Sequence, residues 1–178
     1  SNFAYKHSTI GSMSDLDAAS VDDVTAFFKT YYAPNNATVV LVGDLDTKAT
    51  LAKVRKYFGD IPRPPAPKPV DLTDPPQAEE KRETINDKFA RLPRVDLMYK
   101  VPPASEDDFY ALYMLANVLG GGESSRLYQV LVKEKEAAVQ TGSNALPQQG
   151  PGMFWVVAMT RPGKATSEVE GLIAEEIA

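Results

Sequence analysis

Apolar and polar residues alternate along residues 94–101 (RVDLMYKV), placing Val95, Leu97, Tyr99 and Val101 on one side of an extended chain. Residues 139–145 and 153–160 (MFWVVAMT) read as two more strands, antiparallel to each other and joined through the turn-rich residues 147–152. Before this pair the period lengthens to that of a helix. Phe109, Leu112, Leu115, Ala116 and Leu119 recur at three- and four-residue steps, the spacing of one buried helical face. Gly120, Gly121 and Gly122 interrupt that helix, because consecutive glycines permit left-handed backbone and weaken helix continuation. A second helix follows, with Leu127, Val130, Leu131 and Val132 turned inward only in part. Ser105 with Asp108 is the expected N-cap of the first helix, and Ser124 or Ser125 that of the second. Thr166 or Ser167 opens a last helix, whose apolar side is Val169, Leu172, Ile173 and Ile177.

The N-terminal half begins with some twenty mostly polar residues that read as an extended arm. Ser20 and Asp23 form a capping box for a helix reaching about Tyr32, with Val21, Val24, Phe27, Phe28 and Tyr31 apolar; Pro34, Asn35 and Asn36 end it. Residues 37–42 (ATVVLV) are β-branched with little alternation, the pattern of a strand covered on both faces. Asp46 or Thr47 then caps a helix bearing Leu51, Val54 and Phe58, with Gly59 at its expected αL terminus. Over residues 62–76 seven of fifteen residues are proline, which prevents helix and favours a semi-rigid spacer. Three segments are therefore expected: 1–61, a linker over 62–78, and 79–178, which opens with a charged candidate strand at residues 79–85. The order αβα, linker, ββααββα fits an α/β or α+β chain, and α+β is the class expected, with helices on one face of a largely antiparallel sheet.

Composition narrows the chemistry. With 19 basic and 24 acidic side chains the net charge is -5, the wrong sign for a nucleic-acid backbone as partner. No apolar run is long enough to span a bilayer. The chain has no cysteine, so disulfides and thiolate metal sites are excluded, in whichever compartment it resides. It opens without a basic-then-apolar leader and stops at Ala178 within a helical pattern, as a piece cut from a longer protein would. GGGESS lacks the Gly-Lys-Ser/Thr of a phosphate loop and reads as a helix-breaking turn. Ser124 and Ser125 lack a histidine base, His7 being remote in sequence, solvated and single. Asp44 and Asp46 follow a strand pattern and read as helix-capping residues before a cation site.

Three stretches together resemble the peptidase M16 family, the zinc peptidases related to pitrilysin, insulysin and the mitochondrial processing peptidase. They are YYAPNNATVVLVGDLD at residues 31–46, KYFGDIP at 56–62 and LGGGESSRLYQVL at 119–131, in the order and spacing of the family's C-terminal domain. The resemblance implies lobes of the mitochondrial-processing-peptidase-like metallohydrolase fold. Residues 1–61 would be the C-terminal part of a first lobe and 79–178 most of a second, non-catalytic one. Family members carry zinc on an HxxEH helix of the first lobe, where two histidines bind the metal and the glutamate polarises the attacking water. With one histidine, this chain is expected to hold no cofactor, the zinc lying in an upstream lobe, and to be inactive alone. The family's substrate-clamping Arg, and a Tyr seven residues later, fall on Val132 and Val139; displaced by one, Lys133 would stand in for the Arg. Valine neither donates a hydrogen bond nor pairs with a carboxylate. The implied function is that of a non-catalytic wall of a peptide-enclosing cavity, the clamp coming from a second M16-like subunit or lobe. The other reading is an inactive homologue with a structural or assembly role, lacking HxxEH upstream. Bacterial two-subunit members are often exported, which points to the periplasm.

Overall fold

The three alternating stretches of the C-terminal half form the sheet. In the computed structural model, which describes residues 3–178, β1 (Arg94–Val101), β2 (Ala138–Leu146) and β3 (Gly152–Thr160) pair in the order β1-β3-β2, all antiparallel. Along β3 burial alternates at every residue: Phe154, Val156, Ala158 and Thr160 point into the core, Met153, Trp155, Val157 and Met159 to the other face. Register carries the alternation across the sheet, with Leu97 opposite Val156 and Val95 opposite Ala158 on the core side. Three helices of the same unit cover that side: α4 (Asp107–Gly120), a π-helix (Tyr128–Glu134) and α5 (Thr166–Ile177), which bring in Phe109, Ala116, Leu119, Leu131, Val169 and Ile173. The α+β arrangement is the one expected, with helices on one face of an antiparallel sheet.

The chain divides into two units in sequence, Phe3–Asp71 and Leu72–Ala178. In the first, the Ser20–Asp23 capping box opens α2 (Val21–Tyr31), and Asp46 caps α3 (Thr47–Phe58) by accepting from Ala49 N at 2.7 Å. Several expectations fail here. The polar arm contains a 3-10 turn (Phe3–Tyr5) and a short helix α1 (Met13–Ala18), which Ser12 caps. Gly59 has right-handed angles (φ -67°) and closes α3 through its N–H to the Arg55 carbonyl, so it is no αL cap. Residues 37–42 form no strand: a strand needs a ladder partner, the described residues offer none, and Val40 and Val42 stand 75% and 92% exposed.

In the second unit residues 79–85 are irregular, again against expectation, because they carry almost no apolar residue to anchor a face to the sheet. They are tethered by charge instead: Arg82 donates to both carboxylate oxygens of Glu170 on α5, Nη1 at 3.0 Å, which holds that carboxyl below its ordinary range. The N-cap of α4 is Glu106, with no side-chain hydrogen bond, in place of Ser105.

Helix α4 lies on β2 through its last residue. Ser143 Oγ donates to the Ala116 carbonyl at 2.6 Å, and a Cβ on Gly120 would stand 2.6 Å from both that Oγ and the Gly142 carbonyl carbon. Gly120→Ala should therefore lose about 2–3 kcal/mol as overpacking forces helix and strand apart. Gly171, exposed within α5 with open space around its Cβ position, is the control: Gly171→Ala should gain about 1 kcal/mol from helix propensity. Chemical denaturation of both variants checks the pair.

Candidate functional site

The candidate site is the corner between α4 and β2, and it begins with the glycines. Each has its own task. Gly120 lets the helix touch the strand, a Cβ on Gly121 would collide with the Asn117 carbonyl at 2.5 Å, and Gly122 takes a left-handed φ of 88°. Ser125, 5% exposed, donates its hydroxyl back to the Gly122 carbonyl at 2.7 Å, so it seals the turn from behind where an N-cap of the next helix was expected. Gln129 clamps the same turn through the Glu123 carbonyl at 2.6 Å. The GGGESS stretch is a packed turn, and its buried serine is occupied in holding it.

The element that follows is wider than an α-helix. Lys135 N donates to the Val130 carbonyl five residues back, and Ala137 N to the Leu131 carbonyl six back, both at 2.8 Å. Leu127 and Leu131 are fully buried beneath this turn, Val130 and Val132 partly so. Glu136 then takes φ 47°, a left-handed conformation in a residue other than glycine, and its carboxylate accepts from Arg161 Nη1 at 3.3 Å. Arg161 N in turn donates to the Ala137 carbonyl at 2.9 Å, tying the corner to the end of β3.

The two positions at which the resemblance places the clamp flank this corner. Val132 is on the π-helix and packs at the edge of the core; Val139 is the extra residue of a β-bulge between Ala138 and Gln140, without a Cα partner on β3 and exposed. A bulge re-aims the side chain it carries, so the strand is built to project a residue at 139, and the residue there is aliphatic. Lys133, the displaced match, lies over the Tyr128 ring at 5.7 Å from its centroid.

Zinc does not fit the residues present. Among the described residues no three His, Cys, Asp or Glu side chains gather into a group able to hold a metal ion, and His7 is exposed on the chain's N-terminal stretch. Nor, among the described residues, is any helix long and apolar enough to cross a membrane. A cluster that periodicity does not reveal lies on the open sheet face: Trp155 Nε1 donates to Asp96 Oδ1 at 2.7 Å, Arg94 grips the same oxygen, and its guanidinium lies 5.3 Å from the Trp155 ring centroid. Alternation alone puts these three on one face; the β1–β3 register that makes them neighbours does not show in the sequence.

Glu136 makes the corner testable. Glu136→Gly removes a left-handed strain of roughly 1 kcal/mol but frees the unfolded backbone by a similar amount, so thermal unfolding should shift by no more than a few degrees. Glu136→Val, β-branched at the same angles, should lose about 2 kcal/mol.

Residues 18–178 match the model of the peptidase M16 inactive domain. Over 161 residues the chain is 30% identical to the zinc protease PqqE of Helicobacter pylori, covering 89% of this chain and 36% of that protein. The crystal structure of a protease from Helicobacter pylori superposes with a TM-score of 0.80 at 29% identity, over 94% of this chain and 41% of that one. The periplasmic protease PqqL of Escherichia coli shares the fold, with a TM-score of 0.58 at 18% identity over 94% of this chain and 21% of that one. The chain thus spans well under half the length of these relatives. On the extent of the family match and its likeness to the Helicobacter pylori relative, the chain belongs to the peptidase M16 family, as a non-catalytic segment of it.

Proposed function

We propose that this chain is part of the wall of a peptide-enclosing cavity in a zinc metallopeptidase, and that its parent takes the substrate clamp from a second M16-like subunit. The observation that carries the reading is the pair of aliphatic residues at the corner, Val132 and the bulge residue Val139. The backbone device that projects a side chain there is intact, while neither residue can hold a peptide carboxylate or carbonyl. The zinc-protease name borne by the Helicobacter pylori relative favours an enzymatic parent over an assembly subunit. The parent's zinc belongs to its upstream lobe, and no step of hydrolysis runs through this chain's residues.

Residues 1–61 are assigned to the C-terminal part of a first lobe, 62–78 to the linker and 79–178 to most of a second. What supports the first assignment is uncovered apolar surface: Val24, Phe27, Phe28 and Tyr31 on α2 and the unpaired residues 37–42 are exposed, as a lobe missing its remaining strands would leave them. The periplasm is the proposed location, by likeness to the periplasmic Escherichia coli relative.

Two measurements test the reading. The isolated chain should neither hydrolyse peptides nor bind zinc stoichiometrically with high affinity; one tightly held zinc per chain in calorimetry would contradict this. The full-length parent should cleave peptides weakly alone and at least about tenfold faster, in kcat/KM, with a neighbouring M16-like gene product. A restored charge-assisted clamp of about 2 kcal/mol is worth that much. Full activity without the neighbour, unchanged on adding it, overturns the two-subunit proposal.

A further inference from the structure

The sheet face turned away from α4 and α5 carries a depression of about 180 Å³ lined by Arg94, Gln140, Trp155, Val157 and Met159. Its origin is the cross-strand register. Arg94, Met159 and Gln140 form one row, Asp96, Val157 and Gly142 the next, and Met98, Trp155 and Asn144 the third. Gly142 contributes no side chain to the middle row, so the floor at Val157 is open between walls of Met159 and Trp155. The Trp155 wall is fixed before any ligand arrives: its indole N–H is held by Asp96 at 2.7 Å, and Arg94 is stacked against the ring and bound to the same carboxylate. Asp96 neutralises Arg94, so the depression offers an apolar floor, an indole ring and an amide without net charge.

We propose that this depression is a side-chain subsite that takes an aromatic residue of an extended peptide. Its size argues for one side chain, since it falls short of the roughly 300 Å³ at which small-molecule sites begin. The indole of Trp155 and the thioether of Met159 favour an aromatic occupant over an aliphatic one, and with Arg94 neutralised by Asp96 no charge is left to hold an acidic one. The choice of a peptide rests on the cavity-wall reading above. The subsite lies on the sheet face, apart from Val132 and Val139, and would set which peptides the wall prefers.

Trp155 is the chain's single tryptophan, so it reports on its own pocket. Capped pentapeptides Gly-Gly-X-Gly-Gly with X as Phe, Ala or Asp are titrated against the chain, following Trp155 emission and its one indole N–H resonance. The Phe peptide should shift both signals saturably and bind at least about tenfold more tightly than the Ala or Asp peptide. Gly142→Leu, at a position where an added Cβ meets only ordinary contacts, should fill the depression and abolish the shift while leaving circular dichroism unchanged. Should that variant misfold, the wild-type ranking of the three peptides decides alone. No shift, or equal shifts for Phe and Ala, overturns the subsite. So does emission that varies with protein concentration without peptide, which would mean that a second copy covers the face. A silent Trp155 in a parent that cleaves peptides sinks the subsite alone; a responsive Trp155 in a parent that cleaves none sinks the cavity-wall reading and leaves the subsite standing.

Discussion

The C-terminal unit depends on the direct approach of the last turn of α4 to β2. At Gly120 the two backbones come closer than any side chain allows, and Ser143 reaches across to the Ala116 carbonyl to hold them there. Ala116 is part of the same constraint: it is almost wholly buried, where a larger side chain would push helix from sheet. Because α4 ends flat on the strand, the chain must turn away at once. Gly121 and Gly122 accomplish that turn and Ser125 seals it from within. A stretch that invites a phosphate-loop or nucleophile reading is thus accounted for by close packing.

The same contact gives the sheet two unlike faces. Toward the helices, Phe154, Val156 and Ala158 join Leu119, Val169 and Ile173 in one core, and each buried aliphatic side chain contributes about 1.5–3 kcal/mol. Away from them the rows hold arginine, aspartate, methionine, tryptophan and glutamine, and the Trp155 indole bonds Asp96 across the strands. Strict alternation on β3 separates the two chemistries: a one-residue slip would drive Trp155 into the core and Phe154 out of it.

Local pattern and non-local pairing decide what was legible in the sequence. β1 and the last helix emerge at their expected bounds, and β2 and β3 within a residue, because alternation and helical period are properties of neighbouring residues. Residues 37–42 carry an equally clear strand signal and form none, since the ladder that would realise it must come from elsewhere in the chain. The π-helix was hidden for another reason: slipping each hydrogen bond by one residue leaves Leu127 and Leu131 on one buried side, so the apolar spacing of an ordinary helix survives. At the corner, the positions to watch were named from resemblance, but the left-handed Glu136 and the bulge at Val139 leave no mark in composition or period.

At that corner the fold rests on bonds that the side chains of residues 132 and 139 do not make. The bonds that shape it are main chain to main chain: Lys135 N to the Val130 carbonyl, Ala137 N to the Leu131 carbonyl, Arg161 N to the Ala137 carbonyl. Packing beneath it comes from Leu127 and Leu131, which are fully buried, whereas Val139 is exposed and makes no ladder pair through its Cα. A side chain at 139 therefore contributes little to stability, and one at 132 only its share of the core edge. Main-chain bonds fix the corner, and the two side chains it carries at 132 and 139 are aliphatic.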